Sequence, residues 1–239
     1  MNMFKKTKKY CYGFKNGVVT KEYDVYNFLG CKITRRLKKN CIIKGDNNVI
    51  NLIREDGSIK RVQDAKRLRI MINGDDNTIT VPESFENSNA DIKIIGNKNM
   101  FYIENPMNFV QKSKFEITGE NKQISIGKNF KSNGILMYAV DADIKIGDDF
   151  MTGGDVSIRT TDWHKIFNED GEQTNLPSDV KIGNRVWLAQ GVTVLKGVEI
   201  CDDSVVGINS VATKKYKKSN VVIAGAPAKI VKEGITWQR

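Results

Sequence analysis

One spacing constrains this chain more than any other. From Ile182 to Ala212 an apolar residue falls at every sixth position: Ile182, Leu188, Val194, Ile200, Val206 and Ala212. Four residues after each of the first five stand Val186, Val192, Val198, Ser204 and Ser210, all β-branched or small. Gly183, Ala189 and Gly207 directly follow three of the apolar positions. Accidental alternation in an ordinary sheet would not hold one invariant period over so long a run. Each hexad supplies a short flat strand and a corner: the apolar residue points to an axis, and a small residue lets the chain turn. Three hexads close one coil of ~18 residues, and stacked coils pair their backbones at ~4.8 Å while burying a continuous apolar column. The expected fold is all-β, a left-handed parallel β-helix.

Upstream the period loosens. Ile146, Thr152 and Ile158 read as one coil, and Ile126, Ser132 and Tyr138 as another. Further back a phrase recurs in Ile43–Ile50, Ile72–Ile79, Ile94–Phe101 and Ile117–Ile124, and Gly74, Gly96 and Gly119 lie 22 and 23 residues apart. Each phrase reads strand, Gly-Asx corner, strand, so these segments are expected to be longer, less regular coils. Residues 1–41 lack the repeat and are aromatic and basic. A solenoid needs its open ends covered, so they are expected to be an N-terminal cap. The β-helix is then assigned to 42–213 and a short C-terminal tail to 214–239.

The chain has 239 residues and a formal charge of +10. Such a surplus suits an anionic partner: nucleic acid, an anionic membrane face, an anionic cofactor or an acidic glycan. The four cysteines, Cys11, Cys31, Cys41 and Cys201, form no C-x-x-C pair and fit a reducing compartment. Met1 to Tyr10 is basic without an apolar stretch, so no signal peptide is expected. No run is long and apolar enough for a transmembrane helix. A cytoplasmic protein is expected, with peripheral membrane contact left open.

The repeat breaks once. Between Ile158 and Ile182 the segment 160–179 is polar and reads as a loop thrown out from a corner; long loops on a rigid scaffold often carry function. It holds His164, the single histidine of the chain. Imidazole is the side chain best suited to moving protons near neutral pH. Asp162, two residues before, is a candidate to orient the ring, or else a solvated loop carboxylate.

The runs Lys181–Val198, Val205–Lys214 and Ala224–Lys229, together with Asp162-Trp163-His164, resemble the signature of the hexapeptide-repeat acyltransferases. The specific match covers about residues 140 to 232, the upstream coils matching only in style, and it resembles the capsular and sialic acid polysaccharide O-acetyltransferases. The resemblance implies acetyl-CoA as acyl donor, no metal, and His164 as general base on an acceptor hydroxyl or amine. It implies that Trp187 pairs with the histidine; packing at a corner is the other reading. It implies a CoA site at Ala189, Gln190, Gly207, Ile208, Thr213, Lys214, Lys229 and Lys232, the lysines meeting phosphates. It further implies a homotrimer with active sites between subunits and a glycan acceptor, with nucleic acid not expected. The sequence departs from the family pattern at Cys201, where Gly is usual, and at Ile208, where a smaller residue is common.

A carbonic anhydrase on the same helix would need about three zinc-binding histidines, which this chain lacks. No Gly-rich phosphate loop for a nucleotidyltransferase precedes the coil. N-acyl transfer to a nucleotide-linked amino sugar is one alternative. A non-catalytic basic solenoid that binds polyanions is the other.

Overall fold

The structure, a computed structural model, describes residues 41–63 and 68–239, and within residues 1–40 the backbone of the strands alone. Met1–Lys39 and Asn40–Arg239 are separate compact units. The first holds the antiparallel strands Lys5–Cys11, Glu22–Phe28 and Cys31–Leu37 in that order, and the pair Phe14–Lys15 with Val18–Val19. Whether it covers the open end of the coil, as expected of residues 1–41, lies outside the described residues.

The second unit is a left-handed parallel β-helix. Its regular part has three faces. The first stacks Gln123–Ile126, Ile144–Ile146, Val180–Ile182, Glu199–Ile200 and Lys215–Tyr216. The second stacks Lys131–Ser132, Met151–Thr152, Trp187–Leu188, Val205–Val206 and Val221–Gly225. The third stacks Ile135–Val140, Val156–Arg159, Thr193–Val194 and Val211–Ala212. Register is strict: Ile182 pairs with Ile200, Leu188 with Val206 and Val194 with Ala212. All six side chains are buried. The inner position of each two-residue strand therefore sees only copies of itself above and below, and the hexad follows from that geometry.

Two expectations are corrected. Tyr138 does not reach the axis; Met137 does, paired with Ile158, while Tyr138 sits outside beside Arg159. The reason is local: this strand runs six residues, Ile135–Val140, and its inward positions are Ile135, Met137 and Ala139. The coil also continues past residue 213. Tyr216 pairs with Ile200 and Ile223 with Val206, and the chain then folds back as the antiparallel strand Ala228–Glu233. Tyr216 is fully buried, its hydroxyl donating to the Ala228 carbonyl at 3.0 Å, so an aromatic ring takes the place of the apolar hexad residue in the last coil.

The corners explain the Gly-Asx signal. Asp149, Arg185 and Asp203 turn the first corner, between the first and second faces, at φ of 57°, 52° and 57°. Asn and Asp tolerate this left-handed region best after Gly. Their neighbours form a ladder: Lys128 N donates to Asp148, Asp148 N to Asn184, and Asn184 N to Asp202, at 2.8–2.9 Å. A Cβ at Gly183 would collide with the Asp202 carboxylate and backbone nitrogen, so the corner needs glycine there. Upstream, the phrase asparagines do the same inside the protein. Asn77 and Asn99 are buried, and Asn99 N donates to Asn77 while Lys122 N donates to Asn99. These early coils pair on only two faces, and Phe85, Phe101 and Phe115 pack together between them, ring centroids 4.8–6.4 Å apart. Among the described residues no helix is long and apolar enough to cross a membrane.

The axial column carries the stability of the coil. Leu188 is 0% exposed. Leu188→Ala should destabilise the protein by about 2–5 kcal/mol in chemical denaturation, the usual cost of a core cavity. Ile42→Ala, at an exposed position, should change stability by no more than ~0.5 kcal/mol.

Candidate active site

The loop leaves the coil at the third corner, between the third and first faces. Its base is held by Thr160, a buried residue whose hydroxyl accepts from Val140 N at 2.8 Å and whose carbonyl accepts from Ser178 N at 3.0 Å. The tip closes as a small hairpin, with Phe167 bridging Gln173 and Thr174 N donating to the Ile166 carbonyl at 2.8 Å. Asn175 ties the two limbs together. Its Oδ1 accepts from Ile166 N at 2.7 Å, and its Nδ2 donates to the His164 carbonyl at 2.7 Å and to Asp162 Oδ2 at 3.1 Å. A single buried amide thus uses both ends to fix the backbone from the His164 carbonyl to Ile166 N and the carboxylate of Asp162 before it.

Asp162 does not orient the imidazole. Its carboxylate lies 2.6 Å from Lys196 Nζ and accepts from Asn175. Lys196, and then Asn175, hold its carboxyl below the ordinary carboxylate range. The Asp162–Lys196 pair instead fastens the loop to the next coil, because Lys196 occupies the same corner one turn on. His164 is exposed, and its ring makes no hydrogen bond among the described residues. With Trp163, Thr161, Asn175 and Leu176 it lines a cleft of about 480 Å³ between the loop and Val140–Asp141. An unencumbered imidazole on a cleft is free to take a proton from a ligand.

Trp187 stands elsewhere. It lies on the second face, its ring tilted against Trp237 at 6.1 Å. Trp237 is itself held by its Nε1, which donates to the Arg185 carbonyl at 3.0 Å, and by the Arg185 guanidinium 5.6 Å from its ring centre. One chain therefore does not bring Trp187 to His164. Ala189 and Gln190 occupy the second corner, between the second and third faces. Gly207 and Ile208 lie one coil on, with Ala189 N donating to Val206 and Asn209 N to Gln190, both at 2.9 Å. Thr213 and Lys214 are exposed at the third corner, and Lys229 and Lys232 on the terminal strand Ala228–Glu233. Ile208 is 65% exposed. The two corners border one face, which carries Ser157, Arg159, Thr193 and Val211 outward.

Sequence reasoning missed Lys196 and Asn175. The first was findable: Thr160 and Lys196 each follow a hexad residue, Ile158 and Val194, by two, and those residues stack. Nothing local marks Asn175.

No protein-family model matches the sequence. A polysialic acid O-acetyltransferase of Neisseria meningitidis is 38% identical over 189 residues, which span 70% of this chain and 87% of that protein. Among solved structures, the polySia specific acetyltransferase NeuO matches with a TM-score of 0.63 at 24% identity, covering 82% of this chain and 87% of that one, a likeness of fold. The polysialic acid O-acetyltransferase OatWY matches with a TM-score of 0.51 at 28% identity, covering 82% and 90%.

The Lys196–Asp162 pair makes a pH-dependent prediction. A carboxyl whose pKa is depressed in the fold contributes stability above its unfolded pKa and loses it as pH falls through the folded one. Lys196→Met should therefore speed amide exchange across the loop at neutral pH. The difference from the unsubstituted protein should shrink once pH falls below the ordinary carboxylate range. Equal exchange at neutral pH would show that the pair does not hold the loop.

Proposed function

The chain belongs to the hexapeptide-repeat acetyltransferases, and we propose that it moves the acetyl group of acetyl-CoA to a hydroxyl of a surface glycan, with His164 as general base. One observation carries the residue assignment. The only histidine of the chain lies on a cleft, at a long excursion from a rigid coil, and its ring makes no hydrogen bond among the described residues. Family membership removes the reading as a non-catalytic solenoid.

In this reading His164 accepts the proton of the acceptor hydroxyl as the oxygen attacks the thioester carbonyl. The carbon–sulfur bond then breaks, and the proton passes to the departing thiolate, leaving an ester and free CoA. The donor would lie along the third face, between Ala189, Gln190, Gly207 and Ile208 at one corner and Thr213 and Lys214 at the other. Lys229 and Lys232, on flexible stems, suit its phosphates. A polysialic acid or related acidic glycan is the favoured acceptor, in keeping with the name of the Neisseria relative and the +10 charge. A cytoplasmic setting follows from the donor.

The same reading includes a homotrimer. His164 and Trp187 lie on different parts of the coil, so they can serve one reaction only if neighbouring subunits bring them together.

Two measurements test this. His164→Ala should lower acetyl transfer by about 10²–10⁴-fold, the usual contribution of a general base, with the KM for acetyl-CoA little changed. Transfer at the unsubstituted rate would end the assignment. His164→Ala and Trp187→Ala proteins, each inactive alone, should regain transfer when co-expressed, because mixed trimers hold some interfaces with both native residues. Mixed trimers that stay inactive would mean that the site lies within one subunit.

A further inference from the structure

The third face carries a cluster beside His164 that the transfer chemistry does not use. Trp163 precedes the histidine and lines the same cleft. Its backbone sits at φ 69°, a conformation that a bulky L residue rarely adopts and keeps only where its surroundings impose it. Trp163 N donates to Thr161 Oγ1 at 3.2 Å, and His164 N to the Asp162 carbonyl at 2.9 Å. This turn sets the indole edge-on to the Tyr138 ring at 5.4 Å and leaves it 48% exposed. Leu136, on the same strand as Tyr138, is also exposed. Exposed aromatic and apolar groups in a row on a sheet face mark a contact surface rather than a core.

The charges around this row do not balance. Lys114 Nζ lies 5.3 Å from the Tyr138 ring centre and 3.3 Å from Glu116, and Lys93 lies 2.9 Å from the same Glu116 carboxylate. Arg159 stands next to Tyr138 in register; its Nη2 donates to Ser157 Oγ at 3.1 Å, while its Nε is buried without a partner. Lys93 and Lys114 thus share one carboxylate, and Arg159 adds a third cation that makes no ion pair of its own among the described residues. Asp162 is held first by Lys196, at 2.6 Å, with Arg159 acting on it only through space.

We propose that Trp163, Tyr138, Lys114 and Arg159 form an acceptor subsite that stacks one sugar ring of an anionic glycan on the indole and takes its carboxylate on the cations. The apolar C–H face of a pyranose fits an aromatic plane, and a carboxylate fits an ammonium beside a guanidinium with donor capacity left over. Trp163 is then the residue that presents the acceptor to its neighbour His164, which explains why so strained a conformation is kept at that position. The inference rests on the O-acetyltransfer reading for its purpose, but not for its test.

Binding is read without donor, by calorimetry of the full chain with a sialic acid oligomer and with the same oligomer after its carboxyls are reduced to alcohols. Trp163→Ala should weaken binding of the native oligomer by about tenfold or more, as loss of an aromatic anchor does, and Trp163→Tyr should restore most of it. Lys114→Met leaves Lys93 on Glu116, so the fold is kept. It should weaken binding of the carboxylated oligomer and leave the reduced one unaffected. Unchanged affinity in Trp163→Ala, equal losses for both oligomers in Lys114→Met, or no binding by the unsubstituted protein would each overturn the subsite. Binding with this pattern but no acetyl transfer to any glycan would uphold the subsite and sink the proposed reaction instead.

Discussion

The structure depends on parallel, in-register stacking of like on like. Ile126, Ile146, Ile182, Ile200 and Tyr216 lie one over another on the first face, and matching columns run down the other two. Each added coil pairs its backbone with the last and closes another layer of the apolar column. In the regular coils every layer therefore has the same cross-section, and a residue's height and direction follow from its place in the hexad. The coil is rigid because its core has no alternative register: a slip by one residue would turn every inward side chain outward.

A scaffold of this kind is tolerant in one place, the corners. There the chain runs four residues between one short strand and the next, and extra residues can be inserted without disturbing the faces. The excursion after Arg159 uses that freedom, and Ile182 returns to the register of Ile146 as though nothing intervened. The loop does not float. Thr160 anchors its base, Asn175 spans its limbs, and Asp162 is tied to Lys196 of the following coil. Polar contacts on a long loop do what apolar burial does in the coil, and among the described residues they leave the His164 ring without a hydrogen bond.

The same economy separates functions by face. The second face carries Trp187 under the returning C-terminal segment, the third carries the aromatic and basic row beside His164, and the corners between them carry the residues that suit CoA. Trp187 stands on the second face, while the loop of His164 leaves from the third corner.

Much of this was legible in the residues. The hexads name the axial positions from Ile182 to Ala212 because the period is a local property of a two-residue strand and its corner. The Gly-Asx phrases name the early corners for the same reason, and the break at 160–179 locates the loop and its histidine. The misplacement of Tyr138 shows where this stops: in a longer strand the period no longer says which residue faces inward, and packing of Met137 decides it. The end of the coil was also hidden, because the next hexad position after Ala212 is Lys218, while the buried residue that pairs with Ile200 is Tyr216, two positions earlier. Tertiary structure alone decided which side chains meet. Asp162 takes Lys196 rather than His164, Trp187 rests on Trp237, and Tyr138 supports Trp163. These partners lie on different coils or at the chain end, and nothing local in the sequence records how far a long side chain reaches across a corner or a face. Sequence determined the coil and the place where it opens; the fold determined what the opening holds, because contact between coils is a property of the stack and not of any one hexad.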